Sequence, residues 1–216
     1  MEIEYVRPEE IEKKSFEMIT KELGEDSVFI NGGIPVAFDA PELNVIKRCI
    51  HTTADFDYAA TMHFSPDAID KLKSLIKAGA YIVTDTNMAL AGINRRVPLR
   101  YGCEMRCFMA DEDVADEAKE RQLTRAHVSM ERAMKLAGPV IFVIGNAPTA
   151  LITLKEHCDR GLYKPAFIVG VPVGFVNVVQ AKELITGSDI PHIVNSGRKG
   201  GSNVAAAIVN AVTKMI

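Results

Sequence analysis

The run Val140-Ile141-Phe142-Val143-Ile144 limits the fold of this chain more than any other stretch. A short, unbroken apolar run reads as a strand buried on both faces, because a half-exposed strand would alternate with polar residues. Such a strand needs helices above and below it. The chain supplies them in regular alternation. Strands are expected near 80–84, 103–109, 139–144, 165–170 and 191–194, and helices near 115–137, 147–158, 178–186 and 201–215. Ahead of these, Ala59 to Phe64 reads as a strand. Ser65-Pro66-Asp67 then reads as the cap of a helix that carries Ile69, Leu72, Leu75 and Ile76 and ends at Gly79. Residues 24–41, rich in Gly, Asp, Asn and Pro, resist assignment. With no internal repeat or long linker, residues 1–216 are expected to form one α/β domain. It is a mostly parallel sheet flanked by helices in a single layered sandwich.

Composition narrows the class of function. A hydrophobic content of 48% with 25% charged residues is ordinary for a soluble globular protein. The net charge of −3 argues against a general nucleic-acid binder. No apolar stretch reaches membrane-spanning length, and Met1-Glu2-Ile3-Glu4 lacks the basic start and apolar run of a signal peptide. The expected location is cytoplasmic. Cys103 and Cys107 fall on one expected strand about 13 Å apart, too far to share a metal. Cys49 and Cys158 have no matching cluster, so four reduced thiols and no metal are expected.

Two further helices open the chain. Arg7-Pro8-Glu9-Glu10 starts one that runs to Leu23 and stops at Gly24, with Ile11, Met18, Ile19 and Leu23 on its apolar face. Ser15 sits on that face, either bonded back to the preceding turn or aimed at a ligand. The second begins near Pro41-Glu42 and buries Leu43, Ile46, Ile50 and Ala54. Beside that stripe, Asn44, Lys47, Arg48, His51 and Asp55 recur at spacings of three or four. His51 either flanks the core and satisfies a carbonyl, or moves a proton near neutral pH.

Ligands of parallel sheets collect at the carboxyl ends of the strands, and several candidates stand there. Thr84-Asp85-Thr86-Asn87 can cap a short helix; Arg95-Arg96 can lie in solvent or bind carboxylates. Arg121, Arg125, Ser129 and Arg132 form either a solvated basic stripe or a wall for an anion. Gly145-Asn146-Ala147-Pro148-Thr149-Ala150 is a tidy turn or a helix start that holds an anion on its backbone N–H groups. Gly170-Val171-Pro172-Val173-Gly174-Phe175-Val176-Asn177 lets the backbone approach something flat or bulky, unless packing alone dictates the turn. Gly197-Arg198-Lys199-Gly200-Gly201-Ser202-Asn203 has the ingredients of an anion cradle. It is not a phosphate-loop signature, and no dinucleotide fingerprint follows a strand. Together these point to a large ligand with several negative groups.

The runs Arg48-Cys49-Ile50-His51, Ala91-Gly92-Ile93-Asn94-Arg95, Val143 to Leu151, Gly170 to Val176 and Gly197 to Ser202 resemble the precorrin-8X and cobalt-precorrin-8 methylmutases, in order and spacing, over nearly the whole chain. The resemblance implies an isomerase of vitamin B12 biosynthesis. It moves a methyl group from C-11 to C-12 of the ring, giving hydrogenobyrinate or, with cobalt present, cobyrinate. It implies no organic cofactor and a homodimer with the tetrapyrrole bound near the subunit interface. By the same resemblance His51 is the general acid, while Ser15, Asn94, Arg95, Arg125, Asn146, Thr149, Arg198 and Lys199 contact the substrate and its carboxylates. Asp55 is expected, from helix spacing, to raise the basicity of His51. The chain has Asn94-Arg95 where the family has Thr-Arg. It has Gly-Arg-Lys-Gly-Gly where the family has Gly-Arg-Leu-Gly-Gly, which leaves Lys199 for an extra carboxylate contact. The competing readings are a non-catalytic corrinoid carrier, which has no need of His51, and a sugar-phosphate or nucleotide enzyme.

Overall fold

Burial in the computed structural model follows the apolar runs. It describes residues 5–24, 28–37 and 39–216. The Met1–Glu4 start, and positions 25–27 and 38 of the Gly/Asn/Pro-rich stretch, lie outside them. From the amino end come α1 (Pro8–Leu23), a small hairpin of β1 (Phe29–Ile30) and β2 (Ile34–Pro35), α2 (Pro41–Thr53) and the single turn α3 (Tyr58–Thr61). The alternation then runs β3 (Met62–Phe64), α4 (Ala68–Lys77), β4 (Tyr81–Thr84), the short α5 (Asn87–Gly92) and α6 (Arg96–Arg100), and β5 (Met105–Arg106). It continues with α7 (Glu112–Glu120), α8 (Arg125–Ala133), β6 (Val140–Ile144), α9 (Pro148–Asp159), β7 (Phe167–Gly170), α10 (Val178–Thr186), β8 (His192–Asn195) and α11 (Ser202–Thr213).

Among the described residues, six strands form one sheet in the order β3-β8-β7-β6-β4-β5. Only β3 is antiparallel to its neighbour; the other pairs are parallel. The two-residue period of a strand sends alternate side chains of β6 into two separate cores. Ile141 and Val143 meet Ile46 and Ile50 of α2, Leu72 of α4 and Ile208 of α11. Val140, Phe142 and Ile144 meet Met130 of α8, Leu151 and Leu154 of α9 and Ile185 of α10. All five residues of β6 are buried, as a strand covered on both sides requires.

Several expected boundaries move, each for a local reason. The helix expected at 115–137 is two helices, broken at Gln122, which takes a left-handed conformation (φ 55°). Thr124 then restarts the chain by accepting the His127 N–H on its hydroxyl at 3.1 Å. Ser65 does not cap α4, because its Oγ accepts the His192 N–H at 2.9 Å and so serves β8 instead. The expected strands at 59–64 and 103–109 shrink to Met62–Phe64 and Met105–Arg106. On α1, Ile19 and Leu23 are buried, whereas Ile11 and Met18 face solvent, since α2 is the main element that α1 packs against.

The site is positioned by α11. Its alanines let it lie close to α2 and α5, and its first turn abuts the carboxyl end of β6. Glycine is needed at 145 for that approach: a Cβ there would stand 2.7 Å from the Ser202 Cα.

Candidate active site

His51 occupies the last turn of α2. That helix starts on Pro41 with Glu42 in its first turn and buries Leu43, Val45, Ile46, Cys49 and Ile50 against the sheet layer. It ends at Ala54, which is left-handed (φ 54°) and gives its N–H to Ile50 O at 2.7 Å. His51 is therefore on the outer side, exposed, with its ring stacked on Phe16 of α1 (centroids 5.3 Å apart, planes at 27°). Arg48, one turn earlier, lies over the same Phe16 ring at 4.4 Å. Its guanidinium donates to Glu12 at 2.9 Å, and Lys214, just past α11, reaches the same carboxylate at 2.6 Å. Arg48 first, and Lys214 second, hold the Glu12 carboxyl down at about 2.

Between α2, α11 and the 92–97 segment lies a cavity of about 390 Å³. Arg48, His51 and Thr52 line one side, Asn94 and Val97 another, and Asn203, Asn210 and Lys214 the floor. Asn210 fixes the 92–94 wall: its Oδ1 accepts the Asn94 N–H at 2.8 Å and its Nδ2 donates to Gly92 O at 2.9 Å. The Asn94 side chain accepts the Arg96 N–H at 3.0 Å, a turn just ahead of α6.

At the sheet's carboxyl edge the helix start at 145–147 already holds an anion, and it comes from the chain itself. Asp85, fully buried at the end of β4, accepts the N–H groups of Gly145 (2.8 Å), Asn146 (2.7 Å) and Ala147 (2.6 Å). Burial pushes its carboxyl up, and these backbone bonds pull the other way. At the next residue, Thr86 Oγ1 lies 2.7 Å from Ser202 Oγ and ties this edge to α11.

The 171–177 and 197–201 segments form one laced double loop. Gly174 N–H donates to Arg198 O at 3.2 Å, and Gly201 N–H to Val171 O at 2.9 Å. The fit requires glycine at 200, where φ is 153° and a Cβ would fall 2.1 Å from Val171 O. Phe175 and Val176 project outward, 82% and 77% exposed, and Arg198 lies over the Phe175 ring at 5.4 Å. Lys199 bonds Asp55 at 2.6 Å and Asp57 at 2.5 Å, joining the double loop to the end of α2. Those carboxylates push the Lys199 amine above its usual range.

The structure thus brings His51 and Asn94 into one cavity and links Lys199 to the helix end beside it. The other candidates stand outside that lining. Ser15 donates to Ile11 O at 2.8 Å, next to Phe16. Arg95 is exposed beside Asn94, and Arg125 is exposed at the start of α8, both without an ion pair among the described residues. Asn146 and Thr149 flank the turn that Asp85 fills, and Arg198 lies on Phe175.

One expectation needs correction, and two open alternatives are narrowed. Asp55 does not meet His51; the left-handed Ala54 ends the helix before it, so helical spacing no longer applies and its carboxylate takes Lys199. The basic stripe is not a free wall. Arg121 pairs with Glu117 and Glu131, Arg132 with Glu117 and Asp113, and Ser129 is buried. The anion place at 145–147 is filled by Asp85. Among the described residues no group of three or more His, Cys, Asp or Glu is arranged to hold a metal. All four cysteines are free, and burial pushes the Cys49 thiol up to about 12. No helix among them is long and apolar enough to cross a membrane.

Asn210, Glu12 and Phe16 escaped the sequence reading because each acts across more than thirty residues of chain. A signal did exist for Asp85, an acid ending an otherwise apolar strand.

The precorrin-8X methylmutase (CbiC) family model matches residues 10–215. The chain is 41% identical to the cobalt-precorrin-8 methylmutase of Priestia megaterium, over 96% of this chain and 88% of that protein. It is 36% identical to the precorrin-8X methylmutase of Pseudomonas aeruginosa over 97% of both. The crystal structure of precorrin-8x methyl mutase from Thermus thermophilus superposes with a TM-score of 0.82, at 36% identity, over 96% of this chain and 95% of that one. The chain belongs to the precorrin-8X methylmutase family.

Proposed function

We propose that this chain is an isomerase of corrin-ring biosynthesis that moves a methyl group from C-11 to C-12 of precorrin-8X or its cobalt form, with His51 as the proton donor. The observation that carries this reading is the placement of His51: an exposed imidazole at a helix end, stacked on one side and lining a cavity with cationic and amide groups around it. The reaction balances within one molecule. The bond from C-11 to the methyl carbon breaks, the bond from C-12 to it forms, and the conjugated system shifts its electrons, with nothing oxidised or reduced. A proton placed on the ring by His51 withdraws electron density and eases the migration, and it returns to the imidazole once the methyl group has moved; a positioned acid contributes roughly 10²–10⁴-fold. Holding the macrocycle near its rearranging shape supplies the rest. The chain brings no organic cofactor or metal to this step.

Arg95, Arg125, Arg198 and Lys199 serve the substrate's acid arms, with Ser15, Asn94, Asn146 and Thr149 as polar contacts. A cavity of about 390 Å³ is at the small end for ligand pockets, so a tetrapyrrole overhangs it. The exposed Ile11, Met18, Phe175 and Val176 give a second subunit apolar surface on which to complete the site, which fits a homodimer. We place the enzyme in the cytoplasm and read residues 1–216 as one domain, with neither nucleic acid nor membrane as a partner.

The test is to mix the purified protein with precorrin-8X, and separately with its cobalt form, and follow the visible spectrum. Conversion of either, abolished by His51→Ala, is the expected result. Conversion that His51→Ala leaves undiminished removes the catalytic role of His51. Tight binding without conversion favours the carrier.

A further inference from the structure

A lysine with no role in the reading so far sits behind the double loop. Lys182 of α10 is 1% exposed, on a stripe with Val178, Ala181 and Ile185 that is otherwise apolar. Its Nζ donates to Gly197 O at 2.9 Å and to Lys199 O at 2.7 Å. Asn195, fully buried at the end of β8, adds a bond from Nδ2 to Lys199 O at 2.7 Å. Between these, Arg198 O accepts the Gly174 N–H. The carbonyls of Gly197 and Lys199 are therefore turned inward and that of Arg198 is tied to the neighbouring loop, and the side chains of Arg198 and Lys199 stay outside.

We infer that Lys182 is a positioning residue: it fixes the 197–201 loop from within, and thereby sets Arg198 and Lys199 to receive the carboxylates of the substrate. This rests on the methylmutase reading above. No carboxylate pairs with Lys182 among the described residues, and burial pulls its amine down to about 7. A buried amine is costly, and an apolar side chain of similar length would pack there without that cost. What lysine adds is the donor to Gly197 O and, beside that of Asn195, a second donor to Lys199 O. The link also reaches the reaction centre, because Lys199 is bonded to Asp55 and Asp57 just past the helix of His51.

The test compares wild type, Lys182→Met and Lys182→Gln in the full chain, by amide hydrogen exchange and by turnover of precorrin-8. Losing a charged donor is expected to raise KM about tenfold to a hundredfold and to speed exchange over 197–201 and 171–174 by a similar factor. The expected kcat stays within about threefold, because an interaction lost equally from ground and transition states shows in KM. Lys182→Gln, which keeps a donor, is expected to fall between, and carries the comparison alone should the methionine variant not fold. A lower melting temperature with KM and loop exchange unchanged means that Lys182 only fills space, and overturns the proposal. If the wild type neither binds nor converts the substrate, the functional reading fails instead. Exchange over 197–201 then still decides whether Lys182 holds the loop.

Discussion

Two helix starts face each other across the carboxyl edge of the sheet, and the chain treats them in opposite ways. Three N–H groups at the start of α9 converge on the buried carboxylate of Asp85. The approach to α11 has no carboxylate on its backbone: its carbonyls are taken by Lys182, Asn195 and the Gly174 N–H, Lys199 reaches Asp55 and Asp57, and Arg198 stays at the surface without an ion pair among the described residues. Both stretches have the glycine-and-amide composition of an anion cradle. One is closed by an internal anion and is structural; the other keeps Arg198 free of any carboxylate among the described residues. A cradle in the sequence marks where a negative group goes, and the fold decides whether that group is the chain's own.

The comparison breaks first at Asp85. Asp85→Ala strands three N–H groups, each costing about 1–3 kcal/mol. A loss of at least about 3 kcal/mol is expected in urea unfolding, with Asp85→Asn losing less. A loss below about 1 kcal/mol would mean that the α9 start is no more closed than the other. Arg198→Ala is the counterpart at the α11 start. A surface change there is expected to move stability by no more than about 0.5 kcal/mol. KM for precorrin-8 should rise about tenfold, the worth of one charged hydrogen bond. A stability loss with KM unchanged would reverse the assignment of the two helix starts.

The smallest effect concerns the other side of the cavity, where Glu12 joins α1 to Arg48 and Lys214. A carboxyl lowered from 4.5 to about 2 adds stability above the unfolded value, and loses it as pH falls through that interval. Wild type should exceed Glu12→Gln in stability by about 1 kcal/mol or less, because the pair is exposed to solvent. The difference should vanish between pH 4.5 and 2. A difference that persists unchanged below that interval would show that Glu12 acts by packing rather than by charge.

The sheet was legible because burial on both faces writes itself as unbroken apolar runs, as at Val140–Ile144. The helix at Val178–Thr186 was legible too, from its periodicity. The break at Gln122 was not, since a left-handed glutamine carries no glycine or proline signal. His51 and Asn94 could be named from their motifs. That Asp85 would occupy the 145–147 turn, sixty residues away, depends on strand order, which the local pattern does not encode. Lys182 did leave a trace: a lysine where the apolar stripe of α10 calls for a hydrophobe.

The most direct test of the proton-donor role is single-turnover conversion of precorrin-8 by excess protein, comparing wild type with His51→Gln. With all substrate bound, the rate reports the chemical step alone. The expected result is the same bound spectrum at mixing, followed by conversion roughly 10²–10⁴-fold slower in the variant. Equal rates would show that the methyl group moves without a proton from His51.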